Sequence, residues 1–303
     1  MANLAVNIGS LRLKNPVLTA SGCFSYGEEA SAIYDISRLG GVITKSLTYL
    51  SREGHPPPKV AETDSGMLNA IGLSNVGIDK FISEKLPFLE AQDTACIVSI
   101  AGSTIDEYIK LAEKLATCTG VDALEINISC PNVAEGGLEF GAYREPAGKV
   151  IKAVRNAFPR TIIAKLSPNV TDIVEIAKSV TDNGADAVSL INTLVGAVID
   201  IEKRTFKLSN GFGGLSGPAI RPVAVAMVYK IARAVDIPII GIGGISCAND
   251  ALQFLLAGAR AVEVGTACFM DPLAPLKIID GINTYLDRHG ESDINSIVGI
   301  VKR

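Results

Sequence analysis

The sequence predicts a single (β/α)8 barrel, and three observations predict it. Eight short β-rich runs recur along the chain, separated by helical patterns, with no linker between them. Seven of the runs are near-continuous Val, Ile, Leu and Ala, the pattern of strands covered on both faces, as parallel strands are. Polar residues and glycines gather at the C-terminal end of run after run, where barrels place their active sites. The alternative is a doubly wound open sheet, but no Gly-x-Gly-x-x-Gly follows the first strand. With 303 residues, 48% of them apolar, the chain can bury one large core. A barrel of this type takes about 250 residues, so residues 1–303 read as one domain with insertions.

The expected strands are Pro16–Ser21, Gly41–Ser46, Ala95–Ile100, Ala123–Ile128, Thr161–Leu166, Ala187–Ile191, Ile237–Ile242 and Ala261–Val264. Helices fill the gaps. Thr104-Ile105-Asp106-Glu107 reads as a capping box, opening a helix with Ile105, Tyr108, Ala112 and Leu115 on one face. Thr171-Asp172 starts a helix running to about Asn183, with Gly184 as its stop. Pro218-Ala219 starts another, through to about Val235, and Ala248–Leu256 is followed by the stop signal Gly258. Two connections exceed barrel norms, residues 47–76 after strand 2 and 194–217 after strand 6. A third long loop follows strand 4. All three sit on the C-terminal face, where long ordered loops are usually lids or binding loops.

Composition removes several classes of function. The net charge is −4 and no basic run exceeds two residues, which argues against nucleic acid and anionic membranes. No basic and apolar leader precedes Leu4, and no window approaches 18 uninterrupted apolar residues. The cysteines are Cys23, Cys96, Cys118, Cys130, Cys247 and Cys268; none forms a Cys-x-x-Cys pair, and with two histidines no zinc spacing appears. They read as reduced cytoplasmic thiols, mostly buried as small hydrophobes. Cys130 differs because of its neighbours.

Asn127-Ile128-Ser129-Cys130-Pro131-Asn132 follows the run Ala123–Ile126. Two carboxamides bracket a thiol just past a buried strand, where they could grip a planar, amide-like ligand while the thiol moves a proton. A packed thiol is the bland alternative; on a barrel rim, Cys130 is a plausible general base, its thiolate favoured by a nearby lysine. Lys45 and Lys165 end apolar strands. They could snorkel to the rim, sit beside an anionic ring or carboxylate, or, in the case of a Schiff-base enzyme, act as nucleophile. Asn69 and Asn192 are ordinary turn residues singly, but with Asn127 and Asn132 they would suit a substrate bearing several amides. Gly243-Gly244 and Gly265-Thr266 end strands 7 and 8, whose loops often bind phosphate in barrels. His55, in His55-Pro56-Pro57-Pro58, is expected to face solvent, and His289 is given no role.

Taken together, Ala20-Ser21-Gly22, Lys45-Ser46, Glu62-Thr63 with Gly66–Leu73, Asn127–Val133, Lys165–Asn169, Ile191–Thr193, Gly214–Pro218, Gly241–Gly244 and Gly265-Thr266 resemble the catalytic subunit of dihydroorotate dehydrogenase, over essentially the whole chain. The resemblance implies one FMN across the barrel mouth, its phosphate on Gly243, Gly244, Gly265 and Thr266, with Gly217 nearby. Ala20, Ser21, Lys45, Ser46, Ser99, Asn127, Lys165 and Ile191 would meet the rest of the flavin. It implies dihydroorotate stacked on the ring and held by Lys45, Asn69, Asn127, Asn132, Asn192 and Thr193. The stretch Asn69, Ala70, Ile71, Gly72 and Leu73 would close over it. Cys130 would take a proton while hydride passes to the flavin.

A cysteine base and the absence of an N-terminal extension mark the soluble branches of that family. One is a homodimer reducing fumarate. The other, which the segment Arg52–Pro58 and Gly136-Gly137 resemble, delivers electrons to NAD through a partner subunit carrying FAD and a 2Fe–2S cluster, the catalytic chains forming a homodimer core within a heterotetramer. With no cysteine cluster of its own, this chain would depend on the partner for the cluster. The rivals are a flavoenzyme of the dihydropyrimidine dehydrogenase type, a phosphate-binding aldolase using Lys165, and a catalytically idle scaffold.

Overall fold

The computed structural model describes residues 2–129 and 140–302. The eight runs become a closed parallel barrel: β1 (Val17–Thr19), β2 (Gly41–Ile43), β3 (Ala95–Ile100), β4 (Ala123–Asn127), β5 (Thr161–Lys165), β6 (Ala187–Leu190), β7 (Ile239–Ile242) and β8 (Ala261–Val264). Each strand pairs with its successor, and β8 closes on β1 with Val262 opposite Val17 and Val264 opposite Thr19. The first two strands are shorter than expected, but pairing continues past them as single bonds. Ala20 N–H donates to the Val264 carbonyl and Thr44 N–H to that of Ile97. Ile97, Val98, Ile162, Ile163, Val188, Ile240 and Val262 are fully buried, the outcome their apolar runs dictate.

Helices form the outer layer. The Thr104 hydroxyl accepts from Glu107 N–H at 3.2 Å and starts Ile105–Ala116, which buries Tyr108, Leu111, Ala112 and Leu115. The reciprocal half of that box lands one residue early, on Ser103 N–H rather than Thr104 N–H. Asp172 caps Ile173–Asp182, and Gly184 follows at φ +99°. Pro218–Ile220 forms a 3-10 turn ahead of the helix Arg221–Ile231, which ends earlier than its apolar pattern suggests. Ala248–Ala257 stops at Gly258, and Ala274–His289 closes the ring.

Two additions cap the ends. A hairpin of Val6–Ile8 and Leu11–Leu13 packs under the barrel: Ser10 Oγ lies 3.0 Å from Thr161 Oγ1 at the foot of β5. At the other end, the long connections after β2 and β6 pair with each other. They build one antiparallel four-stranded sheet in the order Leu194–Ala197, Phe212–Ser216, Gly66–Asn69, Val60–Thr63. Leu68, Ala70 and Leu208 give this sheet a small core of its own. The third long loop, after β4, falls largely on residues 130–139, outside the described residues.

Candidate active site

The polar strand ends converge at the C-terminal mouth. Lys165 ends β5, opposite Asn127 of β4 on one side and Ser189 of β6 on the other. Its side chain, 5% exposed, is no snorkelling lysine. The ammonium lies 3.3 Å from Glu125 Oε1 and 3.2 Å from Glu263 Oε2, both carboxylates fully buried. Ser189 Oγ donates to Glu125 Oε2 at 3.0 Å. Burial works against the charged form of Lys165; the two carboxylates, Glu125 first, outweigh it and hold the ammonium protonated. Burial, then the charge of Glu125, pushes the Glu263 carboxyl well above the usual carboxylate range.

A hydroxyl chain lines the neighbouring wall. Asn127 Nδ2 donates to Ser46 Oγ at 3.3 Å, and Ser46 Oγ lies 2.9 Å from Ser99 Oγ. Asn127 Oδ1 accepts from Ser129 N–H, and the Tyr108 hydroxyl donates to the Asn127 carbonyl at 2.7 Å. The carboxamide is thus oriented by the protein, leaving one N–H for a ligand. Lys45 sits beyond β2, its N–H bonded to the Ser25 carbonyl. Its half-buried ammonium has no hydrogen bond or ion pair among the described residues. Burial, then Lys59, lowers its pKa. Burial pushes the thiol of Cys23 up to about 11, so it is neutral there.

Glycines shape the opposite wall. Gly243 and Gly244 turn at φ +126° and +70°. A Cβ on Gly244 would lie 2.7 Å from the carbonyl oxygen of Gly217, itself at φ +94°. On Gly265 it would meet Ala20 Cβ at 3.2 Å. Asp250 anchors the turn from below: it accepts from Ser246 and Cys247 N–H and pairs with Arg221 at 2.6 Å. Thr266 Oγ1 donates to Ser216 Oγ at 2.8 Å, tying β8 to the four-stranded sheet.

The remaining candidates occupy the rim. Ile191 is buried after β6; Asn192 and Thr193 follow, the carboxamide oxygen of Asn192 accepting from Thr193 N–H. Asn69, in a strand rather than a turn, donates to the Gly214 carbonyl at 3.3 Å. Ala70 and Ile71 lead to Gly72 at φ +73° and Leu73 at φ +55°, a left-handed conformation a leucine rarely adopts. Ala20 is buried and Ser21 partly exposed. Cys130 and Asn132 lie outside the described residues.

Two readings from the sequence need correction, and one pair of residues escaped it. His55 does not face solvent: it is partly buried, its Nδ1 3.2 Å from the Ala70 carbonyl and its ring against Gly72. Of the five described cysteines only Cys96 is fully buried, and Cys247 is exposed at a helix start. Glu125 and Glu263 were hidden inside apolar runs. The available signal was a lone acid in a strand covered on both faces, which has to find a buried cation.

A cleft of about 920 Å3 opens at the other end of the barrel, where Lys14 and Asp93 neutralise each other at 2.7 Å. No helix among the described residues is long and apolar enough to cross a membrane.

The family model described as "Dihydroorotate dehydrogenase" matches residues 3–286. The chain is 52% identical over 302 residues to a Bacteroides thetaiotaomicron protein named "Dihydroorotate dehydrogenase B (NAD(+)), catalytic subunit", covering 100% of both chains. It is 53% identical over 299 residues to a Parabacteroides distasonis protein of the same name, covering 99% of this chain and 98% of that one. The crystal structure of DHODH in complex with ferulenol from Eimeria tenella superimposes with a TM-score of 0.81 at 22% identity, covering 98% of this chain and 88% of that one; this likeness speaks for the fold.

Proposed function

The chain belongs to the dihydroorotate dehydrogenase family, and from that premise we propose that it oxidises dihydroorotate to orotate in pyrimidine biosynthesis, using one FMN at the barrel mouth. The observation that carries the reading is the end-to-end likeness, about half of all positions identical, to chains named as NAD-linked catalytic subunits.

The residues present fit an FMN. The Gly217 and Gly243-Gly244 turns form a cradle that a Cβ would fill, and bare glycine N–H groups suit a phosphate. Gly265 and Thr266 complete it. Ala20, Ser21, Ser46, Ser99, Asn127 and Ile191 offer a wall of hydroxyl, amide and apolar contacts for the isoalloxazine, with Lys165 at its floor. When bound, FMN supplies the hydride acceptor.

The chain's own residues do the rest. The Lys45 ammonium, unpartnered among the described residues, suits the substrate carboxylate. Asn69, Asn127, Asn132, Asn192 and Thr193 hold the ring amides, and the stretch from Asn69 to Leu73 excludes water from above. Cys130 accepts the proton from the ring carbon. As in the named relatives, NAD is the final acceptor. Electrons reach it through a partner subunit carrying FAD and a 2Fe–2S cluster, bound to a homodimer of this chain in the cytoplasm.

The test is an anaerobic absorbance spectrum of the purified chain before and after dihydroorotate. Bleaching of a flavin band is the expected result, followed by NAD reduction once the partner is added. Turnover with fumarate and no partner would move the chain to the homodimeric branch. Reduction by dihydrouracil but not dihydroorotate would favour the dihydropyrimidine reading. A flavin-free chain trapped on Lys165 by borohydride would make it an aldolase.

A further inference from the structure

The buried cluster of Lys165, Glu125 and Glu263 is more elaborate than holding a lysine requires. Three ionisable groups are removed from water, with both carboxylates within 3.3 Å of one ammonium. Such clusters rarely stabilise a fold more than well-packed apolar residues would, and the strands around this one are mostly apolar, with no other charged side chain fully buried beside it among the described residues. Glu263 Oε1 is buried without a hydrogen-bond partner among the described residues. Two of the three ammonium donors go to the carboxylates, which leaves one for a ligand in the mouth.

We propose that Glu125 and Glu263 are positioning residues: they clamp the Lys165 ammonium at the floor of the mouth and through it set the balance between oxidised and reduced flavin. The inference rests on the FMN reading above. Reduced flavin is anionic near neutral pH, so a fixed cation beneath it favours the reduced state. Ser189 steadies the arrangement by its bond to Glu125. Without the carboxylates, the burial that opposes its charge would go unanswered, and a lysine in this dry position would hold its proton less tightly.

The test measures FMN affinity in both redox states by anaerobic titration. In the double variant Glu125→Gln/Glu263→Gln, oxidised FMN still binds, and the preference for reduced over oxidised FMN falls about ten- to a hundredfold, the loss of one nearby charge in a partly screened site. Lys165→Met falls by a similar factor, and adding both glutamines to it changes nothing further. A purely structural pair would leave the preference unmoved, or would act equally in the Lys165→Met background; either result overturns the proposal. If the double variant fails to fold, Ser189→Ala reads the same quantity: the preference falls by a smaller factor, and an unchanged preference overturns the proposal. A wild-type chain that takes up no FMN overturns the flavin reading, and the proposal with it. A wild-type chain that loads normally while the variants match it overturns this proposal alone.

Discussion

Gly244 and Gly290 share φ +70°, yet an added methyl would meet different surroundings. At Gly290, the cap of the last long helix, nothing lies within 4 Å of the added Cβ. At Gly244 the Cβ would sit 2.7 Å from the Gly217 carbonyl oxygen and 2.8 Å from Arg221 Cβ. Alanine at either site takes on the left-handed conformation at about 1–2 kcal/mol. Any gain from restricting the unfolded chain is common to both. Gly244→Ala must also displace backbone, which adds about 1–3 kcal/mol by the scale of overpacked sites. With about 2 °C of melting temperature per kcal/mol in a domain this large, Gly290→Ala should fall about 2–4 °C and Gly244→Ala about 4–10 °C. FMN titration separates them further. Gly290→Ala should bind as wild type, and Gly244→Ala should lose tenfold or more, because the turn that moves is the proposed phosphate cradle. Equal melting temperatures together with equal FMN affinity would refute the crowding argument and the assignment of the cradle.

Asp250→Ala should cost about 2–4 kcal/mol in urea unfolding, since it strands Arg221 and three donors of the 246–247 turn. FMN affinity should fall with it, and an undisturbed cradle would contradict the anchoring role. Because Asp250 is held below the ordinary 3.8, through its bonds to Ser246 and the charge of Arg221 against the opposing effect of burial, its contribution is present above that pH and lost as the pH falls through its folded value. Lys45 behaves in the opposite sense. Burial lowers it below the ordinary 10.5, so in the window just beneath that value the unfolded chain holds more protons and stability rises with pH. Wild type should gain on Lys45→Met as the pH rises through the window; parallel urea midpoints would remove the effect. Lys45→Met should also raise KM for dihydroorotate while FMN stays bound. Cys130→Ala should keep its flavin but slow flavin reduction about 10²–10⁴-fold; unchanged single-turnover kinetics would take Cys130 out of the mechanism.

The barrel was legible because its signal is local. Runs such as Ile162-Ile163-Ala164 and Ala261-Val262 declare burial on both faces, and Gly184 and Gly258 mark helix stops through their own backbone angles. The site was legible as a set of strand ends, which placed Lys45, Ser46, Asn127, Lys165 and the glycine turns on one face. Its wiring was not. Nothing local to Asn127 reveals that Ser129 and Ser46 already occupy half its carboxamide. Glu125 and Glu263 are 138 positions apart by their numbers, and only barrel closure brings them to one ammonium. The pairing of residues 60–69 with 194–216 was invisible for the same reason: each strand carries a weak pattern alone, and the partner is set by topology.

That pairing has a mechanical meaning. In a ring of eight strands, β2 and β6 stand opposite each other, so the sheet grown from their connections works as a tie beam from rim to rim. Ser216 pins it to β8 on the way. A barrel alone can ovalise at low cost, because small slips at each strand pair add up around the circumference. The tie fixes one diameter, and with it the gauge between the lysine floor and the glycine cradle. Its bonds join positions as far as 149 residues apart, and contacts so distant in sequence are slow to form. A half-barrel fragment would hold one of the two connections without the other, and so would have no means of setting that gauge.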